Sequence, residues 1–392
     1  MISVAAAWPW RLLYGAGALD QLEAELGQMR AQTRAARAML VTHAYIAGTD
    51  SARKVRQAAG NAGMELFVFD QVEENPCEGT VHSLAREISE NACKLIIALG
   101  GGSSIDCAKA ANIVATHGGS ISEYRGKRGA AITEKTLPLI AIPTTAGAGS
   151  EVTPVALVTD LSNKTKYAVS SRHLIPDLAI LDPLLTVSMS PQLTTWTGMD
   201  ALSRAIEAHS SPLDSPIADI LAIAAVERIA ASLPTAVRAG GDLQARSEML
   251  LAASMAGIAM AQNELGLVHA LSRQISGGFG VPESLANAVL LPVVMEFNKD
   301  FAQSSYAAIA QAMGERVRNL SVPRAADKGV QAVREMTAAM GIPEKLEGLP
   351  ITDDVIFHMS TNAMADPLAM LNPRPITAHD VQYLLQQVMG ST

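Results

Sequence analysis

The stretch "GLVHALSRQISGGFGVPES", residues 266 to 284, sets His269, Arg273 and Glu283 into one glycine-rich run. An imidazole titrates near neutrality and can pass a proton, whereas a guanidinium keeps its charge and only donates hydrogen bonds. With a carboxylate beside them, such groups suit proton transfer to an oxygen whose developing charge is held by fixed donors. The same residues also describe a packed helix histidine and a buried ion pair with no chemistry of its own. A second signal is "LIIALGGGSSIDCAKAANIV", where an apolar run ends in Gly100, Gly101 and Gly102 and a helix is expected from near Ser103 or Ser104. Glycines let a backbone approach a ligand closely, and the N–H groups of a helix start attract a diphosphate. The spacing is not GxGxxG, so a plain strand-to-helix turn is the competing reading. "AIPTTAGAGSE", residues 141 to 151, follows another apolar run and offers the Thr144 and Thr145 hydroxyls with small residues behind them. Two such segments fit a nucleotide-lining pair better than two unrelated turns.

These groups need a scaffold, and the chain's periodicity supplies one. From residue 38 to about 142 the apolar runs "AMLVT", "LFVF", "LIIAL" and "PLIAI" alternate with helical patterns, which predicts βαβ units and a parallel sheet. Ligands of such sheets bind beyond the carboxyl ends of the strands. Residues 153 to 171, "TPVALVTDLSNKTKYAVSS", read as an antiparallel hairpin around a turn at "DLSNKT". After "PDLAILDP" the strand pattern stops and apolar positions fall at helical spacing, with Pro and Gly as breaks. The expected division is an α/β nucleotide-binding domain over residues 1–185 and a helical domain over 186–392.

Bulk properties narrow the function classes. Of the 392 residues, 49% are hydrophobic and 17% charged, enough to bury a core and too apolar for a disordered chain. The formal net charge is -8, and no Lys or Arg run is placed to neutralise a phosphate backbone, so neither nucleic acid nor an anionic membrane is an expected partner. Cys77, Cys93 and Cys107 are odd in number and lack CxxC spacing, which fits reduced thiols and a cytoplasmic protein. "MISVAAAWPWRLL" lacks a basic segment ahead of a long apolar run, and "MLLAASMAGIAMAQN" is too short to span a bilayer.

Across nearly the whole length the chain resembles the iron-containing, or group III, alcohol dehydrogenase family. The resemblance is carried in order by "ALGGGSSIDCAK", "PLIAIPTTAGAGSE", "KYAVSSRHLIPDLAILDP", "TGMDALSRAIEAHS", "GLVHALS", "LANAVLLPVVMEFN" and "NPRPIT". In local wording it is similar to the branch that includes the ethanolamine-utilisation alcohol dehydrogenase homologue. The resemblance implies a Rossmann-like parallel-sheet α/β domain followed by an all-α domain, the fold of group III alcohol dehydrogenases and dehydroquinate synthase-like proteins. It further implies NAD or NADP as cofactor, a small alcohol or aldehyde as substrate, and a homodimer or larger homo-oligomer. Gly100, Gly101, Gly102 and Ser103 would then hold the diphosphate, Thr144 and Thr145 would face the nucleotide, Lys166 would reach its ribose, and Asp106 matches the family's pattern. Ala148 stands where many relatives have threonine. His43 stands where NAD-preferring members often carry an aspartate against the adenosine ribose, so NADP becomes admissible; a plain loop histidine is the alternative.

The departures concentrate at the metal. Relatives bind Fe²⁺ or Zn²⁺ through an aspartate, a histidine four residues on, and two further histidines. The matching residues here are Asp200, Arg204, His269 and Glu283, and a further histidine thought to sit near the substrate is Arg273. Arginine has no lone pair for a cation. Asp200 and Arg204, four apart on one helix, can pair directly. Three readings stand open. In the first, Arg204 and Arg273 replace the metal, polarising the carbonyl or gripping an anionic group, with His269 as the proton donor. In the second, Asp200, His269 and Glu283 still hold a metal. In the third, catalysis is lost and Arg204–Asp200 and Arg273–Glu283 are salt bridges of a binding or regulatory homologue.

Overall fold

The computed structural model describes residues 11–126 and 129–390; the stretch "MISVAAAWPWRLL" lies almost wholly outside them. Two compact units divide between Ser188 and Met189. In the first, the strands are β1 (Arg11–Tyr14), β2 (Arg37–Val41), β3 (Glu65–Phe69), β4 (Leu95–Gly100), β5 (Leu139–Pro143), β6 (Val155–Asp160), β7 (Thr165–Ser170) and β8 (Leu178–Leu181). Its helices are α1 (Leu22–Thr33), α2 (Ala44–Ala47), α3 (Asp50–Asn61), α4 (Glu78–Glu90) and α5 (Gly102–His117).

Six strands form one parallel sheet in the order β1-β8-β5-β4-β2-β3, and β6 and β7 pair antiparallel beside it. The apolar runs are uninterrupted because both faces are covered. Met39, Val41, Ile96 and Ala98 point to one face, with Ile105 and Ala108 of α5; Leu40, Leu95, Ile97 and Leu99 point to the other, with Val55 and Ala59 of α3. The hairpin adds Ala156, Val158, Tyr167 and Val169 to the α5 face. The parallel sheet and the hairpin agree with the sequence expectation; β1, an edge strand of four residues with two exposed apolar side chains, carries no alternation long enough to announce itself.

Lys109 ties the hairpin to α5. Its ammonium is buried and donates to the carbonyls of Ser150 (2.5 Å), Thr153 (2.7 Å) and Val155 (3.0 Å). Burial pushes its pKa down to about 8, against the pull of Asp106 and Glu151, so the charged form with three N–H donors persists at neutral pH. Lys109→Met would leave three buried carbonyls unmatched, and the expected loss is about 3 kcal/mol, read from the midpoint of urea unfolding.

The second unit is helical: α6 (Pro191–Ser210), α7 (Pro216–Arg238), α8 (Leu243–Asn263), α9 (Leu267–Phe279), α10 (Glu283–Asn298), α11 (Gln303–Ala312), α12 (Val322–Ala339), α13 (Asp353–Ala365) and α14 (Ala378–Val388). The Ser190 side chain caps α6 by accepting from Leu193 N, with Pro191 in the first turn, and Ser215, Asp242 and Thr352 cap α7, α8 and α13 in the same way. Pro216–Arg238 is long and apolar enough to cross a bilayer by length and composition alone. In the fold its Ala222, Ala225, Val226, Ile229 and Leu233 are buried, and the helix packs against α6 and α8.

Candidate functional site

In the α/β unit the glycine turn and the threonine segment come together. Helix α5 begins at Gly102, a residue or two before the expected start, with Gly101 as its N-cap, so no side chain takes up the first-turn N–H groups. Gly100 lies at φ +155°, and a Cβ there would run into the Ser104 side chain. A Cβ on Gly102 would stand 2.9 Å from that of Ala148, and one on Gly101 would stand 3.1 Å from Thr145 Oγ1. Thr144 N donates to Gly100 O at 3.0 Å. The two segments thus form one small-residue cradle at the carboxyl ends of β4 and β5, with a helix start that suits a diphosphate.

The other expected cofactor residues surround this cradle. Ser103 Oγ accepts from Asn75 N at 3.3 Å, and Lys166 Nζ donates to Asn75 Oδ1 at 2.6 Å. Asp106 Oδ2 accepts from Leu157 N at 3.2 Å, a bond that anchors the hairpin. His43 caps α2 by position, with Cδ2 3.7 Å from where a Cβ on Gly100 would be. Burial lowers its pKa, against opposing pulls from Val72, Glu74 and Glu73. Asn75 was not among the residues expected from sequence. It holds a left-handed φ of 59° and links Ser103, Lys166 and Thr159, whose hydroxyl donates to Asn75 O at 3.0 Å. The signal for it was weak: an Asn before a proline, a common turn pair.

In the helical unit the second cluster is built on α6, α9 and α10. Asp200, Arg204 and Glu207 fall at i, i+4 and i+7 of α6, and so share a face. Arg204 reaches Asp200 Oδ2 through both Nε and Nη2 at 3.2 Å, while Asn287 of α10 donates to Oδ1 at 2.7 Å. Burial works to raise the Asp200 pKa, but Arg204, His269 and Asn287 outweigh it and hold the carboxyl well below the usual range. Arg204 Nη1 also lies 3.3 Å from Met260 Sδ.

His269 is 1% exposed. Its Nδ1 sits 2.6 Å from Glu207 Oε2, and Glu207 Oε1 accepts from Val268 N at 2.6 Å. A carboxylate only accepts, so Nδ1 carries the hydrogen and Nε2 is turned toward Asp200 Oδ1, 3.6 Å away, with no hydrogen-bond partner. Burial lowers the His269 pKa, yet Asp200 and Glu207 together raise it above the ordinary imidazole value.

Arg273 pairs with Asp366 at 3.0 Å, not with Glu283 as the third of the sequence readings had it; its Nε is buried without a hydrogen-bond partner. Glu283 opens α10, one turn before Asn287. Glu207, Asn287 and Asp366 were not singled out from sequence. The helical spacing of Glu207 from Asp200 could have revealed it; Asp366, 93 residues from Arg273, left no local trace. Among the described residues no three His, Cys, Asp or Glu side chains are grouped so as to hold a metal ion.

A doubly wound nucleotide unit followed by a helical unit with a buried imidazole, two guanidiniums and several carboxylates is the build of a dehydrogenase class in which the helical part carries the polar centre. The comparisons place it: the iron-containing alcohol dehydrogenase profile matches residues 9–183, and the C-terminal profile of the Fe-containing alcohol dehydrogenase family matches residues 194–389. The chain belongs to the iron-containing alcohol dehydrogenase family. It is 34% identical to the NAD-dependent methanol dehydrogenase of Bacillus methanolicus, over 96% of this chain and 97% of the relative. It is 38% identical to the probable alcohol dehydrogenase EutG of Escherichia coli (strain K12), over 80% and 76% of the two chains. A crystal structure of a 1,3-propanediol oxidoreductase superposes with a TM-score of 0.93 at 33% identity, covering 98% of this chain and all of the other. The family acts on CH–OH groups, and so this chain is an oxidoreductase of that type.

Proposed function

We propose that the protein is an NAD(P)-dependent alcohol dehydrogenase, or in reverse an aldehyde or ketone reductase, that works without a divalent metal. The observation that carries this is the Arg204 guanidinium bonded twice to Asp200 Oδ2. A family metal would need Asp200, yet Arg204 and Asn287 cap both of its oxygens. Of the family's four ligand positions one is now a guanidinium that cannot ligate, and it would repel a cation beside it. The donor set does not fit Fe²⁺ or Zn²⁺.

The residues of the glycine cradle would hold a reduced dinucleotide, which would supply the hydride for a carbonyl substrate. The chain's task is then the oxygen left with the electron pair. Guanidinium N–H groups of Arg204 stabilise that charge as fixed donors in a buried setting, the electrostatic part a Lewis acid plays elsewhere. Arg273 keeps its unmatched Nε–H for a substrate oxygen. His269 Nε2 gives the proton, with Glu207 holding the ring by Nδ1. Each arginine already faces a carboxylate, so the pairing favours a neutral aldehyde or ketone over the anionic substrate that two free guanidiniums would have suited. The unpaired thiols Cys77, Cys93 and Cys107 support a cytoplasmic setting.

Metal analysis of protein purified without chelator, alongside an aldehyde panel with NADH and NADPH, tests this reading. The expected result is well under about a tenth of a metal per chain and turnover indifferent to EDTA. More than about half a metal per chain, lost together with activity on chelation, would overturn it. No binding of either reduced cofactor at millimolar levels would favour a homologue that has lost catalysis.

A further inference from the structure

We infer that Glu74 makes this chain prefer NAD to NADP, by setting a carboxylate where the 2'-phosphate of NADP would lie. The inference rests on the dinucleotide reading above and adds the residue that selects between the two cofactors.

The sheet's order reverses between β2 and β4: from β2 the chain moves out to β3, then returns to β4, β5 and β8. Helix α3 accordingly packs on one face and α5 on the other. A crevice opens at such a switch point, and nucleotides bind in it. The glycine turn after β4 forms one lip. His43, directly after β2 and its neighbour Thr42, forms the other, close against Gly100. With a diphosphate on the turn, an adenosine ribose would fall near the end of β2, where an acidic group would accept from a 2'-hydroxyl and a basic one would receive a 2'-phosphate. His43 is not acidic, so by sequence NADP is admissible.

The segment after β3 changes that conclusion. Thr42 N donates to Phe69 O at 3.0 Å, Val72 N to Thr42 O at 3.4 Å, and His43 is bridged to Gln71. Three residues beyond Val72, Asn75 N is fixed to Ser103 Oγ. Residues 73 and 74 therefore span from His43 to the diphosphate turn. Glu73 is committed elsewhere, its oxygens accepting from Thr80 Oγ1 at 2.7 and 2.8 Å and from Cys77 N at 2.9 Å. Glu74 is exposed. Its charge acts on both the His43 imidazole and the Tyr45 phenol, whose rings stack 5.7 Å apart at this lip. Burial outweighs that pull at His43 and favours the neutral ring, so His43 offers no cation to a phosphate. Of the α3 guanidiniums, Arg56 is held by the Ala47 carbonyl at 2.8 Å and Arg53 by Asp50 at 2.6 Å. Among the described residues no Lys or Arg pairs with Glu74, so a dianionic 2'-phosphate would meet a carboxylate there, while a 2'-hydroxyl would find an acceptor.

Fluorescence titration of the full chain with NADH and with NADPH reads this directly, whatever the substrate. The expected Kd for NADPH is at least about tenfold weaker, a gap that narrows as ionic strength rises. Glu74→Gln, a change at an exposed position, is expected to shift the NADPH-to-NADH Kd ratio by about tenfold toward NADPH. Equal affinities in the unaltered protein, tighter NADPH, or a ratio unmoved by Glu74→Gln would each overturn the assignment. If neither cofactor binds at millimolar levels, the dinucleotide reading itself fails and takes this one with it.

Discussion

Replacing Arg204 and Glu283 together with histidine is expected to yield a protein that holds about one Zn²⁺ per chain, where the unaltered protein holds almost none. Half of the coordination set is already in place. Asp200 is buried and ionised, and His269 presents Nε2 because Glu207 fixes Nδ1. That carboxylate–imidazole arrangement is how metal-binding histidines are oriented in general. Removing Arg204 frees Asp200 Oδ2 and deletes the repelling charge, and an imidazole four residues from Asp200 shares its face of α6. The first turn of α10 brings the other imidazole, one turn from Asn287, which already reaches Asp200. Adding Arg273→His should change the stoichiometry little, since Arg273 bonds Asp366 and not Asp200. Elemental analysis after dialysis gives the answer. A folded double variant with no zinc above background would show that these helices do not converge as the family's do.

Arg204→Met should lower kcat by about 10² to 10³ while the Kd for NADH stays unchanged, because the arginine is assigned to an oxygen that is charged only after hydride transfer. A loss of this size also follows from damage, since the variant leaves a buried carboxylate without its cation. The double variant Arg204→Met/Asp200→Asn separates the two. It removes both charges of the pair, which is close to neutral for stability when the space stays filled. Recovery of the melting temperature with kcat still down would match an arginine that acts on the substrate. Recovery of both would reduce Arg204 to a structural ion pair. Arg204→Lys keeps the charge but loses the planar fork, and an intermediate kcat is expected.

Much of the nucleotide unit could be read directly from the chain. Strands β2 to β5 and β8 are apolar runs bounded by turns, and a strand buried on both faces must look like that wherever it occurs. The hairpin β6–β7 and the glycine turn are likewise set by residues adjacent in sequence. So was the change at the metal position, because Asp200 and Arg204 lie one turn apart on a helix and must meet.

What local spacing could not supply was the identity of distant partners. Arg273 had Glu283, ten residues on, as one possible partner, but Asp366, directly after α13, takes it instead. Glu207 stood in plain view within "RAIEAHS", yet its meaning depends on α9 bringing His269 and Val268 N onto its two oxygens. At the cradle, His43 by itself argued for tolerance of NADP, and only the pairing of residues 42–43 with 69–72 carries Glu74 to its side. Sequence alone determined the periodic elements and the change at two of the four ligand positions, since backbone period and the chemistry of a side chain are local properties. Tertiary structure decided which charge each buried group faces: a Coulomb interaction depends on distance in space, and in this protein the deciding partners lie up to 93 residues apart along the chain.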